Sequence, residues 1–142
     1  HSPDALEQVL AALRPAVAAG GELICVFGCG GDRDSGKRRE MGRVAGRGAD
    51  RIVVTSDNPR SEDPAAIAAA IVTGIRDAGQ RNHALELDRA VAIRTAVATA
   101  QGGDIVLVAG KGHEDYQERL GERTPFSDAA VATAALREWR GE

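Results

Sequence analysis

Aromatic side chains make up only 3% of this 142-residue sequence: two Phe, one Trp and one Tyr. A surface that stacks nucleic-acid bases needs more rings than that, and a net charge of −3 supplies no basic field for phosphates. Nucleic acid is therefore not an expected partner. Cysteine is as scarce. Cys25 and Cys29 have no second pair to complete a metal site, so both read as reduced thiols and no metal is expected. No apolar run approaches the ~20 residues that span a bilayer, and no charged-then-apolar leader opens the chain. The expectation is a cytoplasmic chain with no membrane partner. It begins at His1-Ser2-Pro3 without an initiator Met, as expected of a fragment of something longer.

What is present is ordinary globular composition, 43% hydrophobic and 27% charged, enough for a single domain over residues 1–142. With so few rings the core must come from Val, Ile, Leu and Ala, which suits a parallel sheet under Ala-rich helices. Three continuous apolar runs read as strands: Leu23 to Phe27, Ile52 to Thr55 and Ile105 to Val108. Ala84 to Leu87 is a weaker strand, and Glu118 to Phe126 an edge strand or hairpin.

Between these runs the spacing turns helical. Ser2-Pro3 starts a helix with Leu6, Val9, Leu10 and Leu13 on one face. A second carries Met41, Val44 and Ala45 inward. Asp63-Pro64 opens a third with Ile67, Ile71 and Ile75 inward, and Asp88 caps a fourth with Ala90, Ile93 and Val97. Ser127 or Asp128 caps a last one with Val131, Ala135 and Trp139. The alternation predicts an α/β fold: an open, mostly parallel, Rossmann-like sheet with helices on both faces.

The loops that leave the carboxyl ends of such strands build the ligand site. The first runs Gly28-Cys29-Gly30-Gly31-Asp32-Arg33-Asp34-Ser35-Gly36-Lys37-Arg38. A dinucleotide fingerprint on Gly28 and Gly30 would need glycine where Arg33 stands. Gly31-x-x-x-x-Gly36-Lys37 has P-loop spacing, but Arg38 replaces the magnesium-holding hydroxyl, and Asp32 and Asp34 would repel phosphates. A guanidinium between two acids suits a zwitterion better, because Arg grips a carboxylate through two bonds. The basic series Lys37, Arg38, Arg39, Arg43, Arg47 and Arg51 reads as a solvated helix face.

The second loop, Asp57-Asn58-Pro59-Arg60, gathers an acid, an amide and a guanidinium around a proline, and by itself is also a plain turn. In the third, glycines flank Lys111 and allow close backbone approach, with Glu114 free to accept an ammonium; alone it reads equally as a tight turn with exposed charge. His113 reads as a surface or packing residue rather than a base. Taken together the loops offer Arg33 and Arg60 to carboxylates, Asp57 and Glu114 to ammonium groups, and Asn58 to either. A small amino acid with extra charge fits that set.

The stretches Val26 to Asp34, Thr55 to Arg60 and Ala109 to Gln117, together with the opening His1-Ser2-Pro3-Asp4, resemble the C-terminal domain of the MurE-type Mur ligases from end to end. The resemblance implies ATP-dependent amide formation in peptidoglycan synthesis. There the γ-carboxylate of a UDP-MurNAc-L-Ala-D-Glu substrate becomes an acyl phosphate, and an amine of meso-diaminopimelate displaces the phosphate. It also implies that Arg60 reads the distal carboxylate of meso-diaminopimelate, with Arg33, Asp57, Asn58, Pro59, Gly110 and Glu114 beside it. Asp34, Lys37 and Arg38 would lean toward nucleotide phosphates. ATP and Mg2+ would be held mainly by domains outside this sequence, so catalytic residues are not expected here and the chain alone should not ligate. A stand-alone amino-acid or nucleotide binding module, or a scaffold domain, are the rival readings.

Overall fold

The computed structural model describes residues 2–142; His1, at the head of the motif that opens the sequence, lies outside the described residues. Strands β1 (Leu23–Phe27), β2 (Arg51–Val54), β3 (His83–Leu85) and β4 (Ile105–Val108) form one sheet in the order β3-β2-β1-β4. Every pairing in it is parallel. Each residue of β1 is buried, which is why its sequence is apolar without alternation. Leu23, Cys25 and Phe27 enter one core, while Ile24 and Val26 enter the other.

The first core is closed by α1 (Pro3–Leu13), α2 (Gly36–Gly48) and α3 (Pro64–Asp77), through Leu6, Leu10, Met41, Val44, Ile71 and Ile75. The second is closed by α4 (Arg89–Thr99) and α5 (Asp128–Trp139), through Ile93, Ala96 and the half-buried Val131. Each fully buried Ile or Leu contributes about 1.5–3 kcal/mol of burial, so the central strand and its helices carry most of the stability.

The helix starts follow the predicted caps. Ser2 accepts from the Ala5 N–H, Asp63 from Ala65, Asp88 from Val91 and Ser127 from Ala130. Ser127, not Asp128, is thus the last cap. Other expectations are corrected. Val9 is exposed, since Leu6 and Leu10 fill the buried stripe of α1. Ala90 is only half-buried, and Ala92 and Ala96 complete the inward face of α4 with Ile93 and Val97. Trp139 is 44% exposed, and its indole N–H donates to the Ala100 carbonyl at the end of α4. The region read as beginning at Glu118 is a separate antiparallel hairpin, β5 (Tyr116–Arg119) and β6 (Glu122–Pro125), starting two residues earlier.

Among the described residues no helix is long and apolar enough to cross a membrane.

Candidate functional site

The chain proceeds from β1 to β2 to β3 in one direction and then returns to lay β4 on the other side of β1. Ligand sites of open α/β sheets lie at the carboxyl ends of the strands beside such a reversal. Here the loops after β1, β2 and β4 surround a cavity of about 350 Å³. Arg33, Asp34, Lys37 and Arg38 reach it from the first loop and α2; Asp57, Asn58 and Arg60 come from the second loop, and Glu114 from the third.

Pro59 and Gly110 are not on its wall. Pro59 is buried, and its carbonyl lies where a Cβ on Gly31 would stand. That close approach lets the Gly31 N–H donate to the Asn58 carbonyl at 2.8 Å, so the first two loops are joined backbone to backbone. Gly110, at φ 113, leads the chain into Lys111.

Lys111 corrects the picture of an exposed charge on a turn, being 2% exposed. Its Nζ donates to Asn58 Oδ1 at 2.9 Å and to the Tyr116 carbonyl at 2.7 Å, and lies 3.0 Å from Asp57 Oδ1. A buried ammonium needs such a set of acceptors. Asp57, itself 3% exposed, therefore balances Lys111 rather than standing ready for a ligand ammonium. Glu114 is the more open carboxylate, its side chain 31% exposed and 3.9 Å from Lys111 Nζ.

The same contacts fix the amide of Asn58. Lys111 Nζ and the Glu118 N–H can only donate, so the end they meet is the oxygen. The opposite end, Nδ2, donates to Glu114 Oε1 at 3.3 Å.

Arg60 sits at φ 53, a left-handed conformation unfavourable for a residue with a side chain. Its Nη1 donates to the Gly31 carbonyl at 2.9 Å, and its Nε to Glu118 Oε2 at 3.2 Å. Arg33 is exposed and donates to the Asp32 carbonyl at 3.3 Å.

Arg38 is a second correction, since it does not belong to a solvated face. It is 6% exposed, pairs with Glu62 at 2.8 Å and donates to the Gly30 carbonyl. That guanidinium, together with the Asp32 N–H, holds the Glu62 carboxyl below the usual carboxylate range. Arg39 and Arg43 pair with Asp77 of α3, and Arg51 donates to the Thr99 hydroxyl. The Cys29 thiol lines the cavity, and burial pushes its pKa up to about 12, so it stays neutral.

The first loop does not fit a magnesium–triphosphate cradle. The Gly36 N–H at the start of α2 is taken by Asp34 Oδ1, and Arg38 is committed to Glu62 where a metal-binding hydroxyl would be needed. Among the described residues no group of three His, Cys, Asp or Glu side chains could hold a metal ion.

Lys111, Glu118 and Arg89 are structural partners of this site that sequence reasoning missed. Arg89, 1% exposed, pairs with Asp128 at 2.7 Å and donates to the carbonyls of Ser56 and Ala109, tying the second and third loops from behind. One signal was available. An arginine at the first position of a helix opposes the helix dipole, which points to a fixed partner elsewhere.

The chain is similar to two ligases named UDP-N-acetylmuramoyl-L-alanyl-D-glutamate–2,6-diaminopimelate ligase. The one from Acidovorax sp. (strain JS42) is 60% identical over 96% of this chain and 27% of its own length. The one from Chromobacterium violaceum is 58% identical over 98% and 28%. A solved structure of a ligase of that name superposes with a TM-score of 0.90 at 46% identity, covering 99% of this chain and 28% of that one. The chain thus spans little more than a quarter of the length of these relatives. Its residues 1–112 match the family described as Mur ligase, glutamate ligase domain, and the chain belongs to that family.

Proposed function

We propose that this chain is the amino-acid-binding, C-terminal domain of an ATP-dependent ligase that adds meso-diaminopimelate to UDP-MurNAc-L-Ala-D-Glu in peptidoglycan synthesis. The observation that carries the reading is the cavity wall, where Arg33 and Arg60 share about 350 Å³ with the open carboxylate of Glu114, the third guanidinium, Arg38, being paired with Glu62. That volume lies in the small-molecule range. The charge pattern complements a diamino dicarboxylate, with Arg60 on the distal carboxylate, Arg33 on the other and Glu114 on an ammonium. Asn58, its Nδ2 turned toward Glu114, adds a donor at the same end. L-Lysine offers no second carboxylate, so the terminal nitrogens of Arg60 would lack a charged acceptor on the cavity side while Glu118 stays on Nε, a loss that lowers affinity for lysine.

The chain's part in catalysis is to hold the diamino acid so that one amine points at the acceptor, an orientation effect. ATP and Mg2+ would be held mainly by the rest of the ligase, since the first loop lacks the free N–H group and the hydroxyl of a magnesium–triphosphate cradle, while Lys37 on the cavity wall would lean toward the nucleotide phosphates. A cytoplasmic location follows from the same reading, since ATP and nucleotide-linked sugars are made there.

The test is titration calorimetry of the chain with meso-diaminopimelate, carried to millimolar ligand, with L-lysine and Arg60→Ala as comparisons. The expected result is heat with meso-diaminopimelate and at least a roughly tenfold loss of affinity with lysine or with the variant. Equal affinity for the two ligands would overturn the reading.

A further inference from the structure

Glu118 lies outside the three loops, on the first strand of the hairpin, yet it holds the second loop at three points. Its N–H donates to Asn58 Oδ1 at 2.9 Å, its carbonyl accepts from the Arg60 N–H at 3.0 Å, and its carboxylate accepts from Arg60 Nε at 3.2 Å. The Leu120 N–H donates back to the Arg60 carbonyl at 2.9 Å, and Arg60 and Arg119 form a β-bridge. Arg60 is in effect a one-residue strand added to the hairpin. Those bonds on both sides of its backbone hold it at φ 53 against the steric cost.

The side chain is constrained in the same way. A guanidinium carries five N–H groups in one plane. Glu118 takes the one on Nε and the Gly31 carbonyl takes one on Nη1, which fixes the plane of the fork. Three N–H groups are left, one on Nη1 and both on Nη2, and these two nitrogens form the end of the fork that meets a carboxylate. Glu118 is itself steadied, with Arg123 Nε 4.0 Å from its other oxygen and the Arg123 guanidinium 4.3 Å from the Tyr116 ring.

We infer that Glu118 is the positioning residue of Arg60, and through it a specificity determinant that favours ligands with a second carboxylate. The inference rests on the reading of Arg60 as the carboxylate reader, and the experiment separates the two. Meso-diaminopimelate and L-lysine are titrated into the wild-type chain, Glu118→Ala, Glu118→Gln, Arg60→Ala and the Glu118→Ala/Arg60→Ala double variant. Glu118→Ala should weaken meso-diaminopimelate about tenfold, the size of a lost charge-assisted bond, and leave lysine unchanged. Glu118→Gln, whose amide oxygen still accepts from Nε, should recover most of that loss. In the Arg60→Ala background the Glu118 substitution should have no further effect.

A loss that persists in the Arg60→Ala background, or that lowers lysine binding in step, would overturn the inference by showing a merely structural role. If Arg60→Ala weakens meso-diaminopimelate and Glu118→Ala does not, this inference fails alone. If Arg60→Ala changes nothing, or no ligand binds, the functional reading fails. The positioning claim is then still decided by the Arg60 Nε–H resonance of the ligand-free chain. Slow solvent exchange that persists in Glu118→Gln and is lost in Glu118→Ala supports it, and an unchanged exchange rate overturns it.

Discussion

At the scale of single residues, the charges that matter most to the site are those that never reach solvent. Lys111 and Asp57 are both buried, and the lysine ammonium also satisfies Asn58 and the Tyr116 carbonyl. Replacing Lys111 by Met keeps much of the volume but leaves a buried carboxylate facing an apolar chain. Breaking such a pair from one side costs about 3–5 kcal/mol. Urea unfolding of Lys111→Met should show that loss, whereas Lys37→Ala, at an exposed position of the same cavity, should stay within about 0.5 kcal/mol of wild type. Equal effects would mean that the pair adds nothing. The residue types of the site were legible in the sequence because Gly, Arg, Asn and Asp cluster where apolar runs end. The roles of Lys111 and Asp57 were not. Their partners come from segments more than fifty positions apart, and no local spacing reveals an ion pair between loops.

At the scale of elements, helix starts were the most legible feature, because a cap is a local hydrogen bond within three residues of its acceptor. Ser2, Asp63, Asp88 and Ser127 all cap as their neighbours imply. How closely helices approach was not legible in the same way. A glycine inside a helix pattern counts locally as a weak point, yet a Cβ on Gly42 of α2 would overlap the Ile71 carbonyl of α3, and one on Gly74 of α3 the Arg39 carbonyl of α2. The two helices touch backbone to backbone at these positions, and the ion pairs of Arg39 and Arg43 with Asp77 lie along the same seam. Glycine costs a helix about 1 kcal/mol relative to alanine, so Gly42→Ala would stabilise an isolated α2. In the folded chain the sign should reverse. Either Gly42→Ala or Gly74→Ala must push the helices apart, an overpacking loss of about 1–3 kcal/mol. Thermal melts read the outcome, and a variant that melts higher than wild type would rule out the tight seam. Because Arg38 of α2 supports the Gly30 carbonyl, the same displacement should also disturb the cavity wall.

At the scale of the whole molecule, the sheet is held differently at its two ends. The carboxyl ends of its strands carry the cavity. At the amino ends two carboxylates tie the strands together: Asp50 accepts from the Leu23 N–H and from Arg14, and Asp104 accepts from the N–H groups of Glu22 and Gln101. The bond to Arg14 holds the Asp50 carboxyl below its usual range, with help from the Leu23 N–H. Backbone N–H groups do the same for Asp104, Gln101 first and Glu22 second. A carboxyl whose pKa is lower in the folded than in the unfolded chain stabilises the fold above the unfolded value of 3.8. Its contribution is lost as the pH falls through the lower, folded value, because the unfolded chain takes up the proton first. Stability should therefore show no loss from these two groups between neutrality and about pH 5, and fall steeply below about pH 4. Asp104→Asn keeps one acceptor oxygen but turns an amide N–H toward a backbone donor. It should melt lower than wild type at pH 7, and the gap should narrow as the pH is lowered toward 3, where the wild-type carboxyl is itself being protonated. Melting temperatures of the two proteins across that range provide the check. Curves that fall in parallel would place the acid sensitivity in other groups, Glu62 and Asp77 among them, whose carboxyls are also held low by arginine partners.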